Sequence, residues 1–127
     1  MNIAIDTNRY RDFCDNNPVA IDHIQMADRI FLPFVSLAEL RAGFRCGSRT
    51  LENENILTRF LNSTRVTTLY PTNQTTQHYA QLFAQLHTQG TPIPTNDIWI
   101  AALALENNLI LFSRDTHFKH IPQLSLI

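Results

Sequence analysis

Lysine is almost missing from this chain of 127 residues: of its ten bases only Lys119 is a lysine, and against eleven acids they leave a formal net charge of −1. The basic excess that usually marks a nucleic-acid-binding surface is therefore absent from the whole-chain balance. Glycine is scarce as well, at three residues, and the six prolines are scattered singly, so no flexible linker or low-complexity tract is present. No period of about 20 to 50 residues recurs. One continuous domain over residues 1–127 is expected, since domains typically run to about 150 residues. Two cysteines, Cys14 and Cys46, make neither a disulfide framework nor a metal-ligand spacing and read as small apolar fillers. The longest apolar run, Ile98 to Leu105, is eight residues, far short of the roughly 20 that span a bilayer. Met1-Asn2-Ile3-Ala4-Ile5-Asp6 shows no basic leader with an apolar stretch behind it, and the expected compartment is the cytoplasm.

What the chain does have is apolar residues in two periods. At 44% hydrophobic, with 8 Phe, 3 Tyr and 1 Trp, it can bury a core and disorder is excluded as its main state. Short apolar runs at Asn2 to Asp6, Arg29 to Pro33, Val66 to Tyr70 and Leu109 to Phe112 suit buried strands, and Gln123 to Ile127 is a weaker fifth that follows Pro122 and belongs at an edge. Between them lie helical spacings. Tyr10, Phe13 and Cys14 place a helix over Thr7 to Asn16, Pro18 opens another, and Ser36 to Cys46 carries Leu37, Leu40 and Phe44 on one side until Gly47 ends it. Leu51 to Leu61 continues as a helix, Thr72 to Gln89 buries Tyr79, Leu82, Phe83 and Leu86, and Asn96 to Asn107 is strongly apolar. Phe31 and Phe60 read as core, with Phe83. Strands alternating with helices predict a three-layer α/β/α sandwich with a mainly parallel central sheet of four to five strands.

In such sheets ligands bind outside the carboxyl ends of the strands, and four acids fall there. Asp6 ends the first strand, Glu39 lies in the first turn of the helix after the second, Asp97 starts the helix before the fourth, and Asp115 lies three residues beyond Phe112. Each has a plain structural use. Asp6 and Asp97 suit helix N-termini, Ser36-Leu37-Ala38-Glu39 fits a capping box, and Asp115 suits a turn. Their coincidence at one edge favours a shared role. Carboxylates within about 4 to 6 Å of one another repel, and a hard divalent cation with oxygen ligands relieves that repulsion. With no cysteine or histidine among the four, magnesium or manganese is favoured over zinc, and such ions commonly serve phosphate chemistry.

Four blocks carry a resemblance: Ile3-Ala4-Ile5-Asp6-Thr7-Asn8, Ser36-Leu37-Ala38-Glu39-Leu40-Arg41-Ala42-Gly43, Asn96-Asp97-Ile98-Trp99-Ile100-Ala101-Ala102, and Ser113-Arg114-Asp115-Thr116-His117-Phe118 followed by Ile121-Pro122. In this order and spacing the chain resembles a PIN-domain ribonuclease, the VapC-type toxin of a type II toxin–antitoxin system, over essentially its full length. The resemblance implies a magnesium- or manganese-dependent endoribonuclease silenced by a cognate VapB-like antitoxin, and a homodimer whose pockets share a groove. By matching, Asp6, Glu39, Asp97 and Asp115 take the acidic catalytic and metal-site positions, with Asn8 and Ser113 as polar support. Many relatives carry a further acid shortly after the fourth, where this chain has Thr116 and His117.

Setting the four acids aside leaves seven acids against ten bases, nine of them arginine, so the remaining surface is mildly basic. Arginine grips phosphate with a planar fork and stacks on bases. Arg41, Arg45 and Arg49 recur every fourth residue beside Glu39, and Arg9, Arg11 and Arg114 border Asp6 and Asp115. RNA contact and structural ion pairing are both open to them. Trp99 suits core packing, with a dimer or antitoxin interface as its alternative. His117 suits a solvated turn residue, with RNA contact or proton transfer as its alternative, and is assigned no role. Two rivals fit less well: a magnesium-dependent receiver domain needs an acid where Tyr70-Pro71 ends the third strand, and a haloacid-type phosphatase needs one where Asn8 stands. A catalytically silent PIN-fold module that binds RNA or protein shares every one of these residues.

Overall fold

The computed structural model describes residues 1–127. Its strands are β1 (Asn2–Ile5), β2 (Arg29–Pro33), β3 (Val66–Leu69) and β4 (Ile110–Phe112), and its helices α1 (Thr7–Cys14), α2 (Pro18–Met26), α3 (Phe34–Cys46), α4 (Thr50–Leu61), α5 (Asn73–Gln89) and α6 (Thr95–Glu106), with a 3₁₀ turn over Thr116–His120. The sheet runs β3-β2-β1-β4, and every pairing is parallel. Parallel neighbours require crossovers, and the helices supply them.

Side-chain alternation sorts the two faces. Ile3 and Ile5 of β1, Ile30 and Leu32 of β2 and Phe112 of β4 point into one apolar cluster with Tyr10, Ala20, Ile24, Leu37, Leu40 and Leu57. Ala4 and Leu111 point the other way, into the cluster built by Leu82 and Leu86 of α5, the apolar face of α6 and Phe118. The run Ile98 to Ala104 is apolar almost all round because α6 is wedged between the sheet and α5. Helix α5 opens with Thr72 and Thr75 in reciprocal side-chain hydrogen bonds and closes at Gly90, whose φ of 73° lies in the left-handed region that glycine adopts freely. No helix is long and apolar enough to cross a membrane.

Four expectations are corrected. The segment from Gln123 onward forms no fifth strand: a single parallel bridge joins Leu126 to Leu111, and a lone bridge has no ladder to extend. Phe83 is 56% exposed, stacked on Tyr79 at a centroid separation of 6.4 Å instead of entering the core, because Leu82 and Leu86 already fill the buried stripe of α5. Phe31 and Phe60 pack against the core while only half-buried. Cys14 and Cys46 lie at the surface, so neither is a filler.

Candidate active site

The sheet order creates the site. β1 leads to β2 and then β3 on one side, whereas β4 joins β1 on the other. A crevice therefore opens between the carboxyl ends of β1 and β4, the topological switch point at which open α/β sheets bind ligands. Asp6 follows β1, and Ser113, Arg114 and Asp115 follow β4.

Asp6 is 5% exposed and fully engaged. Its carboxylate accepts from the Thr7 backbone N–H at 2.7 Å, the Ser113 hydroxyl at 2.8 Å and the Ser36 hydroxyl at 3.4 Å. It caps α1, as its sequence position suggested, and faces the other acids as well. Burial raises its pKa more than these donors lower it, and the charge of Asp115 adds to the rise. Ser36 is not a cap. Pro33 sets the start of α3 two residues before the expected Ser36, so Ser36 sits inside the helix with its hydroxyl turned onto Asp6, and Glu39 lies in the second turn, not the first.

Glu39 stands at the mouth of the site. Its carboxyl is raised by the protein crowded around it and then by the charges of Asp6 and Asp97, while Arg11 opposes the rise. Arg11 comes that close because Gly43, one turn after Glu39, has no side chain: a Cβ there would stand 2.9 Å from the Arg11 guanidinium. Asp97, in the first turn of α6, is also raised, chiefly by burial, with the His117 hydrogen bond opposing.

His117 was left without a role by its sequence setting, yet its Nδ1 lies 2.9 Å from Asp97 Oδ2 and 3.1 Å from Asp115 Oδ1. Asp115 caps the 3₁₀ turn by accepting from the His117 backbone N–H at 2.9 Å, which folds the imidazole back onto the acids. The hydrogen bond to Asp97 is the main cause of the raised His117 pKa. Asp97, Asp115 and His117 offer three donor atoms within 4.8 Å of one another. Two carboxylates and one imidazole gathered this tightly are a donor set that fits a divalent cation. Buried Asp6 and exposed Glu39 lie near enough for the charges of this group to act on one another.

Asn8 and Ser113 touch one another across the crevice. Asn8 Nδ2 donates to Ser113 Oγ at 3.3 Å, and Asn8 Oδ1 accepts from the Arg114 backbone N–H at 3.2 Å. Asp12, which drew no attention as sequence, completes this brace: it takes the Arg114 guanidinium in a two-point grip at 2.8 and 3.0 Å and Arg9 at 3.2 Å. Those arginines hold the Asp12 pKa low. Arg9 also lies over the Phe112 ring, 4.6 Å from its centroid. On the other side Arg41 and Arg49 pair with Glu54 and Glu52 at 3.5 and 3.8 Å, and Arg45 has no ion-pair partner. Arg49 has left the stripe, since α3 ends at Gly47 and Arg49 precedes α4.

Residues 3–124 match the PIN domain family. The chain belongs to the PIN domain family. Among curated PIN-family relatives it is similar to Ribonuclease VapC1 of Haemophilus influenzae (strain R2866), 38% identical over 98 residues that span 76% of this chain and 72% of the relative. The PIN fold superposes on the structure of VapBC-1 from nontypeable Haemophilus influenzae with a TM-score of 0.88 at 29% identity, covering 100% of this chain and 97% of that one. It superposes equally, TM-score 0.88 at 26% identity, on VapBC2 from Rickettsia felis bound to a promoter DNA fragment, covering 100% and 98%. The receiver-domain and phosphatase readings are thereby displaced.

Proposed function

We propose that this PIN-family chain is the toxin of a toxin–antitoxin module, an endoribonuclease that hydrolyses RNA phosphodiester bonds in one domain over residues 1–127. The observation that carries the reading is the convergence of Asp6, Glu39, Asp97 and Asp115 at the β1–β4 crevice in a chain related to proteins named ribonucleases. In this reading Asp97 and Asp115 hold a divalent ion, magnesium or manganese, with Asp6 and Glu39 adding charge. Such an ion supplies charge neutralisation on the phosphodiester and acidifies water.

The chain's own residues divide the remaining work. Asp6, fixed by three donors, is an acceptor whose orientation costs no reorganisation. Glu39 has no hydrogen bond within the protein and a raised pKa, so it is the carboxylate that takes the proton from the attacking water. The water oxygen bonds to phosphorus, the bond from phosphorus to the 3′-oxygen breaks, and that oxygen takes a proton from solvent water, giving a 3′-hydroxyl and a 5′-phosphate; Glu39 then returns its proton to solvent. Arg45, exposed and unpaired, is the α3 arginine freest to meet RNA phosphate; Arg41 can do so by leaving Glu54. Arg9 and Arg114 are held by Asp12, which suits them to shaping the loop and presenting a fixed fork.

A VapB-like antitoxin is the partner this reading requires, since the structures it superposes on at 26 and 29% identity are VapBC assemblies. The expected homodimer has an apolar surface available at Phe83, Tyr79 and half-buried Trp99, whose ring lies 4.5 Å from that of Tyr79; light scattering before and after Phe83→Glu tests it. The decisive experiment is cleavage of a cellular RNA pool by antitoxin-free protein with magnesium, with manganese and with chelator, the new ends mapped by sequencing. Discrete metal-dependent cuts with 5′-phosphates, lost in Asp6→Asn, are expected. Equal cutting in chelator overturns the metal role, and no cutting turns the reading to a binding-only PIN fold.

A further inference from the structure

We infer that His117 is a nitrogen ligand of the metal at this site and makes it select a transition ion such as manganese over magnesium. The inference rests on the metal-site reading above and deepens it. Donor atoms at adjacent corners of an octahedron with bonds of about 2.1 Å stand about 3 Å apart. His117 Nδ1 stands 2.9 Å from Asp97 Oδ2 and 3.1 Å from Asp115 Oδ1, both at that spacing, and all three donor atoms lie within 4.8 Å of one another. The chain enforces this approach. Asp115 caps the turn that carries His117, and Asp115 is itself fixed through its backbone N–H on Ser113 Oγ at 3.0 Å, the hydroxyl that donates to Asp6.

Facing two carboxylates, Nδ1 has two uses: as an N–H donor in the free protein, or as a lone pair directed at a cation that lies between. The ring remains 46% exposed, which leaves Nε2 solvated and lets the imidazole turn without disturbing the core. Selectivity follows from ligand chemistry. Magnesium favours oxygen ligands and keeps its waters, whereas affinity for nitrogen-containing sites rises along the first transition series from manganese onward. Replacing one carboxylate in such a set by a neutral imidazole also removes a negative charge, and charge is what a hard ion relies on most. His117 thus tilts the site away from magnesium from both directions.

Manganese supplies its own readout. In metal-stripped protein loaded with one equivalent of Mn2+, electron spin echo modulation is expected to show coupling to a directly bound nitrogen, abolished in His117→Asp. Calorimetric affinities for Mn2+ and Mg2+ are expected to show the Mn2+/Mg2+ preference falling about tenfold in that variant, with circular dichroism unchanged. Bound Mn2+ without nitrogen coupling in the unaltered protein overturns the His117 assignment and leaves the carboxylate site standing. Failure of Mn2+ to bind at all overturns both. Nitrogen coupling that survives in His117→Asp while vanishing in His120→Ala overturns the assignment by moving the ligand to another side chain.

Discussion

Helix α1 borders two hollows of opposite character. Asp6 at its start, with Asn8, Arg9 and Asp12, turns to the acidic crevice, where these side chains are tied to Ser113, Arg114 and one another. Tyr10, Phe13 and Cys14 turn to a hollow of about 420 Å³ lined also by Ile24, Ile30, Ile56, Phe60 and Val66. This hollow is lined mostly by apolar side chains, with Arg59, Ser63 and Arg65 at its edge and no acid among them, and its aromatic rings serve packing, Tyr10 meeting Phe60 edge to face at 5.1 Å. The crevice gathers like charges that burial makes expensive. One side of the helix stabilises the fold, and the other spends part of that stability on placing charge, so the two should fail differently when altered.

The largest effects should fall cleanly on one side each. Asp97→Asn is expected to lower metal-dependent RNA cleavage by at least about 100-fold, roughly 2.7 kcal/mol in the barrier, with unchanged circular dichroism and no loss of melting temperature in chelator. Leu57→Ala, at a fully buried side chain in the cluster beneath the apolar hollow, is expected to cost about 2 to 5 kcal/mol of stability, measured by urea denaturation, with cleavage per folded molecule retained. A Leu57→Ala protein that stays folded yet loses catalysis would erase the division between the two sides.

A change of pH separates them next. The carboxyls of Asp6, Glu39 and Asp97 are raised from ordinary values of 3.8, 4.5 and 3.8, and His117 from 6.5. A group raised on folding stabilises fully below its unfolded value, and that contribution is lost as pH rises through the folded value. Metal-free protein should therefore lose stability upward from about pH 4, with a further loss above pH 6.5 from His117, and added divalent ion should reverse both. Asp12, lowered by Arg114 and Arg9, acts oppositely, its contribution disappearing as pH falls below about 4. Denaturation curves at pH 5, 6.5 and 8, with chelator and with Mg2+, read this directly.

How much of this was legible beforehand differs between the regions. The four strands and six helices followed from local periodicity and lie within a residue or two of their expected places, the weak fifth strand excepted, and the four acids could be picked out because a carboxylate beside a strand end announces itself locally. Ser36 was misjudged because Ser-x-x-Glu matches a capping box, while Pro33 decides where α3 begins. His117 was weighed and set aside, and Asp12 was passed over, for another reason. Their partners Asp97 and Arg114 lie 20 and 102 residues away, a pairing no local pattern encodes; Asp115-x-His117 on a tight turn was the available signal. Phe83 shows the reverse error, apolar at the right spacing and yet outside the stripe that Leu82 and Leu86 fill.

Asp12 is the first of two smaller tests. Asp12→Ala frees Arg114 and Arg9 and loosens the turn that carries Ser113 and Asp115. Cleavage should fall about tenfold, in kcat more than in KM, and raising ionic strength should alter the variant less than the parent, since the fork it releases is no longer fixed.

The smallest effect sharpens the comparison most, because one substitution should move stability and activity in opposite directions. Gly43 lies inside α3, where glycine costs about 0.5 to 1 kcal/mol relative to alanine. Its added Cβ would press on the end of the flexible Arg11 side chain, 2.9 Å away, and not on backbone, so the arginine can swing aside cheaply. Gly43→Ala is thus expected to raise the melting temperature slightly. Moving Arg11 removes the one positive charge that opposes the rise of the Glu39 pKa, so the acidic limb of the cleavage profile should shift to higher pH, with activity at alkaline pH preserved. A variant that is more stable with an unmoved profile would show that Gly43 serves packing alone, and that Arg11 belongs to the structural side of α1 instead of the chemical one.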